Sequence, residues 1–186
     1  MQDLERRAFV KGATIGTLAF VVGGAEVMLT PRQAHAQNVP LRLLTPAQAE
    51  ALDAVGETLV PGAKEAGITN FVDHQISGPA EDALLQARIL NVRPPFVNFY
   101  RAALGAIDEA SEKTHGRKFA ELSGGERHDF INLMRQNKID GWQGPPGPFV
   151  FTVLRSDAVD VVYATMDGYD ALGIPYMPHI APTKKW

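Results

Sequence analysis

From residue 45 onward, apolar positions recur mostly at three- and four-residue spacing, which predicts helices rather than strands. Thr45 can cap a first helix, Pro46 suits its first position, and Gln48 completes a capping box. Leu52, Val55 and Leu59 then share one face, and Pro61-Gly62 ends the run. A short second helix is expected over residues 70–77, with Phe71, Val72 and Ile76 inward and Gly78-Pro79 as its break. A third helical segment is expected over 80–90, interrupted by Arg93-Pro94-Pro95. The strongest pattern follows. Phe96, Phe99, Tyr100, Ala103, Leu104 and Ile107 line one face of a helix that should end near His115, with Gly116 as its stop.

Phe119 and Leu122 should tuck a loop onto the core. Ser123-Gly124-Gly125-Glu126 is a second capping box, opening a helix with Phe130, Leu133 and Met134 on its buried side. The Gly- and Pro-rich stretch 140–148 reads as a loop. A final long helix is expected over 149–172, carried by Val150, Leu154, Val161 and Val162. Pro175, Pro178 and Pro182 make the remainder an extended tail. With residues 37–44 as a short extended linker, 37–186 reads as an all-α, irregular helical domain with an extended Pro-rich C-terminal tail.

The first 36 residues have a different pattern. Arg6 and Arg7 are followed by Phe9 and Lys11, then by an apolar stretch from Ala13 to Ala25, then by Ala34-His35-Ala36. Paired arginines before a short apolar region and a small-x-small site read as a twin-arginine export signal. The uncharged run from Gly12 to Ala25 falls short of the about 20 apolar residues that span a bilayer. Cleavage after Ala36 is therefore expected, with Ala34 and Ala36 as the recognised small residues; an uncleaved anchor and a Sec signal are the alternatives. The twin-arginine route carries proteins already folded in the cytoplasm, which points to a periplasmic chain that holds a cofactor or travels with a partner that does.

Composition narrows the chemistry. The chain has 18 Lys and Arg against 21 Asp and Glu, a formal net charge of −3, with no basic patch dense enough for nucleic acid. It has no cysteine, which excludes disulfides, c-type haem attachment, thiol nucleophiles and cysteine-ligated iron–sulfur clusters within the chain. No dinucleotide fingerprint, phosphate-binding loop, serine-hydrolase elbow or zincin motif occurs. His74, His115, His128 and His179 are not spaced as metal pairs on one helix. Asp73-His74 could be a base with its orienter, but sequence neighbours on a helix point about 100° apart. Asp108, Glu109 and Glu112 read as a solvated helix face, and Phe96, Phe99 and Tyr100 as core. The tail stands out: Tyr169, Tyr176, Met177, Ile180 and Trp186 make an apolar, aromatic terminus where termini are normally polar. These five residues are the candidate partner interface.

Several stretches together resemble the gluconate 2-dehydrogenase subunit 3 family. They are the arginine pair, Leu44-Thr45-Pro46 leading to Leu59-Val60-Pro61-Gly62, Ala66-Gly67-Ile68 with Phe71-Val72-Asp73, the run Tyr100 to Asp108, and the run Gly116 to Ser123. The tail from Tyr169 to Trp186 is more similar to the branch associated with sugar or glycoside 3-dehydrogenases. The resemblance implies a non-catalytic small subunit with no cofactor of its own. Its partner would be a large flavoprotein of the glucose–methanol–choline type that holds FAD and lacks an export signal. A cytochrome c subunit would take the electrons, and the twin-arginine translocase would carry the folded pair. Two other classes remain open at this level: an independent small periplasmic enzyme or ligand-binding domain, and a membrane-tethering subunit with a retained N-terminus.

Overall fold

The computed structural model describes residues 16–174. Among them are a two-stranded hairpin and eight α-helices with one 3-10 turn: β1 (Leu18–Val22), β2 (Ala25–Leu29), α1 (Pro31–Ala36), α2 (Pro46–Leu59), α3 (Ile68–Ser77), α4 (Gln86–Ile89), α5 (Phe96–His115), α6 (Gly124–Arg135), α7 (Gly147–Tyr163) and α8 (Met166–Ala171), with the 3-10 turn at Phe119–Glu121. The helical domain expected from the apolar spacing is present.

Local capping chemistry sets several boundaries. Thr45 and Ser123 each accept a hydrogen bond from the backbone amide three residues on, and Gln48 and Glu126 return the bond. Such a reciprocal pair satisfies two amides that a helix start leaves open. Helix α5 runs to His115 and closes on Gly116 at φ +70°.

The core lies between α2, α3, α5, α6 and α7. Tyr100, Phe119, Phe130, Leu52, Leu104 and Leu154 are among its largest fully buried side chains. Each such side chain contributes roughly 1.5–3 kcal/mol by leaving water. Phe119 and Phe130 meet edge-on at 5.3 Å, which seats the 3-10 turn on α6. Helix α7 is rich in valine, yet Val150, Val153, Leu154, Ala158 and Val161 form one buried helical stripe. Packing overrides their strand preference.

Four expectations change. The 80–90 segment is helical only at Gln86–Ile89. Its first half is an irregular loop because Leu84 N–H donates to Gln75 Oε1 at 2.8 Å instead of to a helical carbonyl. The last helix is two helices: α7 stops at Tyr163, and Thr165 caps α8 by accepting from Gly168 N–H. On α6, Leu133 is exposed and Ile131 takes the inward position. Finally, residues 18–29, read from sequence as part of an apolar leader, pair as antiparallel strands from Leu18↔Leu29 to Val22↔Ala25. Gly23 and Gly24 form the two-residue turn with φ of +59° and +84°, positive values that only glycine adopts freely and that match the twist of a hairpin. Phe20, Leu29, Ala34 and Val39 make a small second core under this hairpin.

Candidate functional site

Asp73 sits on α3 and is buried. Its carboxylate accepts from the backbone N–H groups of Arg42, Leu43 and Leu44 at 2.7, 2.9 and 2.8 Å. The segment read as a short extended linker is pinned to α3, and Arg101 of α5 holds it from the other side by donating to Leu43 O at 2.6 Å. Three amide donors occupy the carboxylate, so Asp73 is a structural clamp rather than a base.

His74 points the other way, as its helical spacing requires. Its ring Nε2 donates to Ala19 O at 3.1 Å, and Phe20 packs on the ring at 5.1 Å. Burial pushes the His74 imidazole below the ordinary histidine value. The neighbouring Asp73 is committed to the 42–44 amides, so no acid–base pair forms. His128 bonds Gly124 O at 2.7 Å on the surface of α6. Of the carboxylate trio, Asp108 accepts from Phe119 N–H at 3.2 Å and anchors the 3-10 turn. Burial raises its pKa. Glu109 and Glu112 face solvent. Phe96, Phe99 and Tyr100 are core, with Phe99 edge-on to both Tyr100 and Phe149.

One buried acid was not singled out from sequence. Asp157 of α7 is fully buried. It accepts from Tyr100 Oη at 2.6 Å and from Gln86 N–H at 2.9 Å, joining α4, α5 and α7. Burial, chiefly, pushes its pKa up to about 7, and Tyr100 is held well above the ordinary tyrosine value by the same burial and the adjacent acid. Its partners are 57 and 71 residues away in sequence, so no local pattern could have marked it.

Among the described residues no group of three or more His, Asp or Glu is arranged to hold a metal ion, and no helix is long and apolar enough to cross a membrane. The surface also carries exposed apolar side chains. Leu84 and Ile89 are 61% and 62% exposed beside α4, and Leu172 and Ile174 are 53% and 49% exposed after α8. Leu84 also lines a groove of about 370 Å³, with Leu18, Phe71, Val161 and Thr165 among its other walls.

Of the candidate interface residues, Tyr169 lies on α8 and is half-buried. Tyr176, Met177, Ile180 and Trp186 lie outside the described residues, as do Arg6, Arg7, Phe9 and Lys11 of the export signal. Ala34 and Ala36, the expected cleavage residues, lie on α1, where Ala34 is completely buried and Ala36 exposed.

No curated protein and no solved structure matches the chain. The family model for gluconate 2-dehydrogenase subunit 3 matches residues 46–178, from the start of α2 into the tail. That span contains Asp73 but not the 42–44 amides it holds, together with the Asp157 junction, the apolar groups at 84–90 and the first part of the candidate interface. A match over most of the chain, across the whole helical core, assigns it to the gluconate 2-dehydrogenase subunit 3 family.

Proposed function

We propose that this chain is the non-catalytic small subunit of a periplasmic, FAD-dependent sugar or glycoside dehydrogenase of the glucose–methanol–choline type. It binds the large flavoprotein in the cytoplasm, carries it through the twin-arginine translocase and stabilises it afterwards. A cytochrome c subunit receives the electrons. The family match over residues 46–178 carries this reading. Two further observations support it. The polar groups that sequence offered for catalysis are engaged in structural bonds: Asp73 to three amides and His74 to Ala19. The surface near the end of the described chain is apolar at Leu172 and Ile174, directly before the aromatic tail.

The export role rests on Arg6 and Arg7 and is tested there. Changing both to Lys should leave this chain and the flavoprotein together in the cytoplasm, with periplasmic dehydrogenase activity lost. Periplasmic activity unchanged in the double variant would overturn the carrier role.

A further inference from the structure

The uncharged run 12–25 is the apolar part of the export signal by sequence, but the fold places residues 18–25 of it in the hairpin. Leu18–Val22 is strand β1, Gly23 and Gly24 are the turn, and Ala25 opens β2. Phe20 and Leu29 are buried in the small second core. The His74 ring of α3 holds the hairpin down through its bond to Ala19 O and its contact with Phe20. An export signal is read as an accessible apolar segment, and a chain in this state does not present one. Export and the docked hairpin are therefore alternative states of the same residues.

The hairpin can leave without dismantling the helical core. Its small core of Phe20, Leu29, Ala34 and Val39 is separate from the main one, although Leu18 packs against both. The family match begins at residue 46, so the span that defines the family lies wholly after the hairpin. A two-stranded hairpin is marginally stable by itself, so this one depends on its seat against His74 and Val39. Val21, Val22, Val27 and Met28 stay between 36% and 48% exposed. Much of the hairpin's apolar surface is thus left in water even when it is docked.

We infer, on the export reading of Arg6 and Arg7, that the hairpin is an autoinhibitory contact: α3 of the free subunit holds the apolar part of the export signal closed, and the signal becomes readable when the hairpin leaves His74. A receptor's apparent affinity falls by the fraction of the chain that is in the binding-competent state. The translocase therefore engages this chain in proportion to the open fraction, and α3 sets that fraction from outside the signal. The delay gives the folded subunit time to meet its flavoprotein before it leaves the cytoplasm.

The test changes the seat and leaves residues 1–36 intact. The chain is expressed without the flavoprotein, and its entry into the periplasm is followed after a pulse of synthesis for the native chain, His74→Ala and Val39→Ala. Loss of the Ala19 bond, or of the Val39 methyls from the small core, should speed export at least about fivefold. Changing Arg6 and Arg7 to Lys in the His74→Ala chain should abolish that increase. Equal rates for the native chain and both variants, or an increase that survives the arginine changes, would overturn the inference. Export of none of the three would overturn the export reading and the inference with it. With no flavoprotein present, failure of the carrier role does not enter. A second measurement needs no export. Hydrogen exchange on the purified full chain should show the amides of residues 18–29 exchanging at least about fivefold faster in both variants than in the native chain, with those of α5 unchanged. Hairpin amides that exchange equally fast in all three, or α5 amides that speed up with them, would show that α3 does not hold a separable mask.

Discussion

Asp157 is an acid placed where acids are costly, and its two bonds show what it does there. It holds the Tyr100 hydroxyl and the first amide of α4 inside the core. Because burial raises its folded pKa to about 7 from an unfolded value of about 3.9, the native state keeps a proton between those values that the unfolded chain releases. Its contribution to stability is therefore complete below about pH 4 and is lost as pH rises through about 7. Asp157→Asn should remove that dependence. Asn is nearly the same size, can accept from Gln86 N–H, and can donate to the tyrosine oxygen. Between pH 5 and pH 8 the variant should gain several degrees of melting temperature relative to the native chain, at about 2–4 °C per kcal/mol for a domain of this size. A constant difference across that range would show that Asp157 is already ionised in the fold. Residues of this kind explain where sequence reading stopped. The caps at Thr45 and Ser123 were legible because donor and acceptor are three positions apart. Asp73 and Asp157 were not, because their partners come from segments about 30 and 60–70 positions away.

The long helices carried their own signal. Helices α2 and α5 begin and end where the apolar spacing and the stop residues place them, because one helical face meets the core along its whole length. Short elements did not. Helix α4 has four residues and is held by Asp157 rather than by its own periodicity. The hairpin was hidden because its first strand and Gly-Gly turn lie within the uncharged run 12–25, and an apolar run next to paired arginines reads as a leader. The tail is the element on which the functional reading leans most. Tyr176, Met177, Ile180 and Trp186 are apolar, and three prolines remove amide donors that a helix would need. Leu172 and Ile174 are already half-exposed where it starts. Tyrosine and tryptophan anchors each cost about 2 kcal/mol or more when truncated in interfaces. Deleting residues 174–186 should leave the helical circular dichroism almost unchanged and weaken binding to the flavoprotein at least about tenfold. Unfolding of the truncated chain, or full affinity without the tail, would remove the interface from this segment.

At the scale of the whole molecule, the helical core is a continuous apolar interior crossed by the bonded acids Asp73 and Asp157, while apolar side chains remain outside near α4 and after α8. It is clustered rather than scattered apolar exposure that marks a docking surface, and Leu84, Ile89 and Leu90 fall close together in sequence around α4. The family assignment agrees with a docking role. The most direct test is capture of the tagged chain from the periplasm, followed by an absorption spectrum and subunit analysis of what comes with it. The chain should bring a larger protein with the bands of an oxidised flavin, and those bands should bleach when the oxidisable sugar or glycoside is added. A colourless chain recovered alone, from cells in which the dehydrogenase is present and active, would contradict the reading of this protein as the small subunit of a flavin-dependent dehydrogenase.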